Sequence, residues 1–259
     1  MFTTAFSFGE FCWTDLGTTN TTEAKAFYSA LFGWTTANNT PNYSMFQKAG
    51  KETSAFFTQK AGTPAYWYAY VTVANVDEVA AKAVEYKGKV LSAPAEVLGE
   101  NNKVLGRVCF IQDPTGAICA AWEPKAHHGA SVWNEYGASC WFELSTNNVD
   151  VAGGFWAKLF GWTAKPSEIP GMNYTQFFKG DKAVGGMTAT ANATVKPYWL
   201  SYFAVENCDA TCAKAKTLGA TVVQPAHDIP TVGRFAVFAD PQGATFAVLQ
   251  PFTAATATN

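Results

Sequence analysis

The sequence predicts an α+β protein made of two tandem copies of one domain, and three observations carry that prediction. The segment Trp13–Trp34 (WTDLGTTNTTEAKAFYSALFGW) recurs as Trp141–Trp162 (WFELSTNNVDVAGGFWAKLFGW). Later landmarks return in the same order: Asn42-Tyr43 as Asn173-Tyr174, Tyr66-Trp67 as Tyr198-Trp199, Gly106-Arg107 as Gly233-Arg234, and Asp113-Pro-Thr-Gly116 as Asp240-Pro-Gln-Gly243. Within each copy, apolar spacing switches between the period of a strand and that of a helix. The repeat is about 130 residues long, far above the 20–50 of a solenoid, so each copy is domain-sized. The reading is a first domain over 1–124, a linker over 125–135 and a second domain over 136–259.

The elements of the first copy follow in order. Phe11–Leu16 alternates as a half-buried strand. Asn20-Thr-Thr-Glu23 has capping-box spacing; Ala24, Phe27, Tyr28, Leu31 and Phe32 then form a helical stripe that Gly33 ends. Strands are expected around Tyr43–Gln47, Thr53–Phe57 and Tyr66–Val73, the last rich in aromatic and β-branched residues. A second helix is expected over Val76–Tyr86. Strands over Val104–Gln112 and Ala117–Trp122 are joined by the turn Asp113-Pro-Thr-Gly116. The pattern is βαβββ followed by further αββ material, repeated in the second copy.

Composition narrows the function classes. Hydrophobic residues make up 48% and aromatic residues 15%, ample for two cores, and net charge is −2 with no Lys/Arg cluster. Nucleic acid and anionic membranes are therefore poor partners. No apolar run reaches the roughly 18 residues of a membrane span, and Met1–Phe8 lacks the basic start of a signal peptide, so a cytoplasmic protein is expected. The sequons at Asn38, Asn42, Asn173 and Asn192 are then chance products of an Asn/Thr-rich composition. The six cysteines read as buried free thiols, with Cys208 and Cys212 taken as core packing on one helix. No Gly-x-Ser-x-Gly, Walker loop, Gly-x-Gly-x-x-Gly or Cys-x-x-Cys is present.

The motif Ala26-Phe-Tyr-x-x-Leu-Phe-Gly-Trp34 and the Asp-Pro-x-Gly-Ala turn before the last strand resemble the glyoxalase/bleomycin-resistance/extradiol-dioxygenase group, the vicinal oxygen chelate superfamily. His128-Gly-Ala, Asn134-Glu135 and Asp228-Ile-Pro-x-Val-Gly-Arg234 are similar to its tandem glyoxalase-like branch. The resemblance implies paired βαβββ modules whose sheets curl into cups, with a ligand site inside. It also implies a divalent ion held by His, Gln or Glu on the first strand of each module and Glu on the last. Those positions carry Trp13 and Ala120 in one copy and Trp141 and Ala247 in the other, side chains with no lone pair to give. The expectation is therefore no metal and no cofactor. The histidines do not restore a site, since His127 and His128 fall in the linker and His227 is alone in a loop.

Cup candidates follow from strand alternation. If Trp13 and Trp141 face the cups, Asp15 and Glu143 do too. Each carboxylate is either a ligand-binding or general-base group, or a structural partner of Arg107 or Arg234. Tyr66, Tyr68 and Tyr70, with Tyr198 and Tyr202, form either a stacking wall for a planar ligand or ordinary sheet face. Gly185-Gly186-Met187 either lets a ligand approach the backbone, with Met187 against it, or makes a bulge. His227 is either catalytic or solvated. The reading is a glyoxalase/bleomycin-resistance-like protein that binds a small aromatic or carbonyl-bearing molecule. The alternative is a metal-independent lyase, isomerase or hydroxylase-type enzyme using Asp15, Glu143 or His227; a third is a surface role with vestigial cups. One chain already supplies paired cups, so monomer and homodimer both satisfy the design.

Overall fold

The computed structural model describes residues 6–40, 42–169, 172–190, 192 and 194–252. The first half runs β1 Phe11–Thr18, α1 Thr21–Phe32, β2 Thr35–Thr40, β3 Tyr43–Lys48, β4 Lys51–Thr58, β5 Tyr66–Thr72, α2 Val76–Glu85, β6 Lys89–Leu98, β7 Val104–Gln112 and β8 Ile118–Pro124. The second runs β9 Ser139–Thr146, α3 Val149–Phe160, β10 Thr163–Pro166, β11 Tyr174–Lys179, β12 Lys182–Ala189, β13 Tyr198–Ala204, α4 Cys208–Thr217, β14 Thr221–Ile229, β15 Gly233–Ala239 and β16 Thr245–Pro251. Each half is thus two βαβββ modules.

All four helices begin on an asparagine, because a short side-chain oxygen can satisfy an amide that has no intrahelical partner. Asn20, Asn75, Asn148 and Asn207 each accept from a first-turn amide. The Asn20–Glu23 motif closes through side chains, with Asn20 Nδ2 donating to Glu23 Oε2 at 2.8 Å. Gly33 and Gly161 end α1 and α3 with φ of 72° and 68°, a left-handed conformation that costs glycine nothing.

Each half forms its own eight-stranded sheet, ordered β2-β3-β4-β1-β5-β8-β7-β6 and β10-β11-β12-β9-β13-β16-β15-β14. The antiparallel pairs β1–β5 and β9–β13 join the two modules of each sheet. Strands β2 and β6, which the sequence pattern did not reveal, are sheet edges; β6 is mostly exposed and lacks an apolar alternation.

The helices lie between the two sheets. One interior cluster packs Val76, Val79 and Ala83 of α2 with Phe155, Trp156 and Leu159 of α3, against apolar residues of both sheets. The other packs Phe27, Tyr28 and Leu31 of α1 with Phe203, Phe238 and Phe246 of the second half. At the centre, Thr14 Oγ1 and Ser201 Oγ from opposite sheets lie 3.1 Å apart. The outer, concave faces carry two smaller clusters, which are the cups.

Two reciprocal pairs of hydrogen bonds lock the halves. Tyr28 donates to Asp240 Oδ2 at 2.9 Å, and Trp156 Nε1 donates to Asp113 Oδ2 at 2.7 Å. Trp34 Nε1 donates to the Gly137 carbonyl at 2.7 Å, and Trp162 Nε1 to the Gly9 carbonyl at 2.6 Å. The family-like motifs therefore meet across the duplication. Among the described residues no helix is long and apolar enough to cross a membrane, and the cysteines are free thiols.

Replacing Tyr28 by Phe strands a carboxylate oxygen of Asp240, which is 4% exposed. Breaking a hydrogen bond to a buried charged group costs about 1.5–3 kcal/mol. Urea denaturation of Tyr28→Phe and Trp156→Phe is expected to show losses of this size. Losses below about 0.5 kcal/mol in both variants would mean that the crossing bonds do not hold the halves together.

Candidate functional site

The first cup is built on β1. A bulge between Phe11 and Trp13 changes the strand's facing, so that Phe11 joins the interior while Trp13 enters the cup cluster. Beyond it ordinary alternation holds: Leu16 packs inward, while Trp13 and Asp15 line a cavity of about 750 Å³. Trp13 lies opposite Tyr70, and Tyr70 opposite Ala120.

Asp15 is 4% exposed and its carboxylate is covered. Oδ1 accepts from Trp13 Nε1 at 2.5 Å and from the Tyr43 hydroxyl at 3.0 Å, and Oδ2 accepts from the Tyr70 hydroxyl at 2.7 Å. Burial pushes its pKa above the usual carboxylate value, although these three bonds and His127 pull it back. The same burial, with the neighbouring Asp15 charge, holds Tyr43 and Tyr70 protonated and therefore able to donate.

The arginines are not its partners. Arg107 pairs with Asp77 and Glu123, and Arg234 with Asp209 and Asp228, at the outer edge of each sheet. The structural role expected of an arginine falls to phenols and an indole, whose apolar rings tolerate the cup where a guanidinium would need further partners.

His127 is the residue that sequence reasoning set aside. The linker does not stay outside: Ala130 N donates to the Cys12 carbonyl at 2.9 Å and Ser131 N to the Glu52 carbonyl at 2.8 Å. Gly129, with φ of 113°, lies so close that a Cβ would come within 2.6 Å of the Cys12 carbonyl oxygen. This close passage carries the His127 ring edge-on to Trp13, with centroids 4.9 Å apart. His127 Nε2 sits 3.3 Å from Glu52 Oε2, and the histidine holds the Glu52 carboxyl below its ordinary range. A glycine beside two histidines in the linker was the only sequence signal of this. Tyr43, Glu52, Trp122 and His127 all line the cavity and were not singled out from the sequence.

The donor set does not fit a divalent ion of the family type. The strand positions present an indole, a methyl group and, at Tyr70, a hydroxyl committed to Asp15. Among the described residues, no group of three His, Cys, Asp or Glu side chains is placed to hold a metal.

The second cup uses the same plan with different bonds. Burial raises the pKa of Glu143 to about 7, although the nearby phenols of Tyr174 and Tyr202 pull it back. Trp141 Nε1 donates to the Tyr174 hydroxyl at 2.9 Å instead of to the acid. Gly186 makes room for that phenol, since a Cβ there would lie 1.8 Å from the Tyr174 hydroxyl. Close approach to the glycine backbone is thus made by Tyr174, where the sequence leaves a ligand or a bulge open, and the β11–β12 register does shift beside Gly185. Tyr202 lies opposite both Trp141 and Ala247, and Tyr198 is half-buried beside them.

Other expected residues lie elsewhere. Met187 is packed in the interior, where a Cβ on Gly153 of α3 would meet its methyl group at 2.8 Å, so it faces away from the cup. The Tyr66 hydroxyl accepts from Trp199 N at 3.0 Å and is a junction between halves. Tyr68 donates to Gln59 Oε1 at 2.9 Å, and neither it nor Tyr66 is among the residues lining the cavity. His227 lies within β14, where the sequence suggested a loop; its ring approaches the Pro225 carbonyl and packs on Phe235 at 4.2 Å. A shallower groove of about 510 Å³ is bounded by Lys165, Glu168, Gln176, Phe178 and Thr231, and Glu143 does not line it.

Comparison with known proteins agrees with this architecture. A family model described as a glyoxalase-like domain matches residues 141–249. The chain is 41% identical to "Putative glyoxylase CFP32" of Mycobacterium bovis over 92% of its own length and 94% of the relative's. It is 31% identical to "Anthracycline biosynthesis protein DnrV" of Streptomyces peucetius, covering 95% of each chain. The fold resembles that of the Mn(II)-bound glyoxalase from Novosphingobium aromaticivorans, with a TM-score of 0.61 at 14% identity over 95% of this chain and 85% of that one. With the repeat, the paired βαβββ modules and these relatives in agreement, the chain belongs to the glyoxalase-like family and has the vicinal oxygen chelate fold.

Proposed function

We propose that this protein binds a small aromatic or carbonyl-bearing molecule in its first cup, without a divalent ion. The observation that carries this reading is a cavity of about 750 Å³ whose aromatic floor is held by one buried carboxylate. That volume falls within the ~300–1,000 Å³ of small-molecule pockets. Asp15 spends both oxygens on Trp13, Tyr43 and Tyr70, so its work is to fix the walls. Three fixed rings meet a flat ligand without loss of side-chain freedom on binding. Relatives named as a glyoxylase and as an anthracycline biosynthesis protein support a small organic ligand.

The test is a thermal-shift and calorimetric screen of aromatic and dicarbonyl compounds on metal-analysed protein, with and without chelator. Stabilising ligands are expected to act equally in both, and Trp13→Ala is expected to weaken them at least tenfold, about 1.4 kcal/mol. Stoichiometric metal, or binding that chelator removes, would sink the metal-free reading.

The second cup favours one alternative. Glu143 stays partly accessible, and its pKa of about 7 lies where a general acid–base group works best. In this reading the second cup performs metal-independent proton transfer on a carbonyl or aromatic substrate. Turnover with a pH profile inflected near 7, lost in Glu143→Gln, would favour it over binding alone.

The same carboxyl makes a stability prediction. Its folded pKa lies above the ordinary glutamate value of 4.5, so ionisation disfavours the folded state as pH rises from 4.5 through 7. Below pH 4.5 both states are protonated and the penalty vanishes. Glu143→Gln is therefore expected to gain roughly 2 kcal/mol at pH 8, discounted for partial access, and nothing at pH 4. Denaturation curves at the two pH values check this; an equal effect at both would refute it.

A further inference from the structure

We infer that the first cup selects an organic cation: a flat ring carrying an ammonium group. This rests on the proposed ligand-binding role of that cup and names the chemistry of its ligand. Among the described residues, the titratable side chains lining the cavity are Asp15, Glu52, Glu100, Lys103 and His127, together with the phenols of Tyr43 and Tyr70, which burial keeps neutral. Whatever the protonation of Asp15 and His127, the lining is never net positive.

Depth decides how these charges count. Glu100 and Lys103 lie on the exposed turn at the mouth, where water and salt screen them. Asp15 is buried in the cavity lining and Glu52 is half-buried there, where the effective dielectric is lower and a charge reaches further. The interior field is therefore set by carboxylates, with a histidine beside one of them.

The aromatic floor points the same way. The faces of tryptophan, tyrosine and phenylalanine attract cations through the ring quadrupole, tryptophan most strongly. Trp13, Tyr43, Tyr70, Phe110 and Trp122 line this cavity. Three of them donate their N–H or O–H to Asp15. Donation to a carboxylate pushes electron density back into a ring, and the Asp15 charge at the edges of the three rings adds to the attraction for a cation in the cavity. An ammonium at the Glu52 wall, with its ring against the floor, uses both features. A carboxylate ligand would meet both as repulsion.

The experiment is calorimetric titration of the full chain, in chelator, with three probes of one shape: 2-naphthylmethylammonium, 2-naphthylmethanol and 2-naphthoate. The ammonium is expected to bind most tightly, at least about tenfold better than the naphthoate, with an advantage that shrinks in high salt. Glu52→Gln is expected to weaken the ammonium several-fold and leave the alcohol unchanged, with its melting temperature checked for an intact fold. If the alcohol or the naphthoate binds as tightly as the ammonium, the cation preference is overturned and the ligand-binding reading stands. If none of the three binds or shifts the melting temperature, the ligand-binding reading of this cup falls as well.

Discussion

The structure depends on one interaction made twice: a turn aspartate that stabilises its own hairpin and also grips a helix of the other half. Asp113 Oδ1 accepts from the amides of Thr115, Gly116 and Ala117, closing the turn between β7 and β8. Its Oδ2 is left pointing at Trp156 of α3. Asp240 repeats this, with Oδ1 on the amides of Gln242 and Ala244 and Oδ2 on Tyr28 of α1. A carboxylate that is both turn and clamp ties local chain reversal to the docking of the halves. Burial raises the pKa of the Tyr28 phenol well above its usual value, so it stays a donor while Asp240 accepts.

The clamp grips α1 and α3, the helices pack in the two interior clusters, and the cup clusters on the other faces stay free of them. That division of labour explains where ligand chemistry can occur. The interior faces must satisfy two halves at once, and they hold the large buried rings Trp67, Trp156, Trp199, Phe203 and Phe246. The cup faces carry no such obligation and have diverged. In one, Asp15 takes three donors, Trp13 among them; in the other, Trp141 turns to Tyr174 and Glu143 lies near the phenols of Tyr174 and Tyr202. The linker widens the difference, since it feeds His127 into the first cup only.

Sequence legibility follows the same division. The duplication, the helices and the main strands were readable because interior packing imposes strict periodicity on Phe27, Tyr28 and Leu31 and on their second-half equivalents Phe155, Trp156 and Leu159. The edges β2 and β6 were not, since an exposed strand owes nothing to apolar alternation. The pairing of Trp13 with Asp15 on one face was correct, but the arginine partner was not. Tyr43 and Tyr70 reach Asp15 across 28 and 55 residues, and nothing local announces such bonds. Met187 was misplaced because β12 turns that side chain towards α3, a direction set by register. His127 escaped because a linker's path is decided by close backbone packing at Gly129.

In the first cup one charge organises several side chains. A divalent ion organises a site by drawing several side chains to one charge. Asp15 does this in reverse, as one buried anion drawing two phenols and an indole to itself. The bonds are charge-assisted, so each is stronger than a neutral one, and the three residues that make them line the cavity. The cost is the desolvation of a carboxylate, visible in its raised pKa. Removing any single donor would leave that charge under-satisfied. A floor assembled in this way has its three rings tied to a single buried anion. In the proposed reading, such a floor serves recognition in the first cup, and acid–base chemistry falls to the more accessible Glu143 in the second.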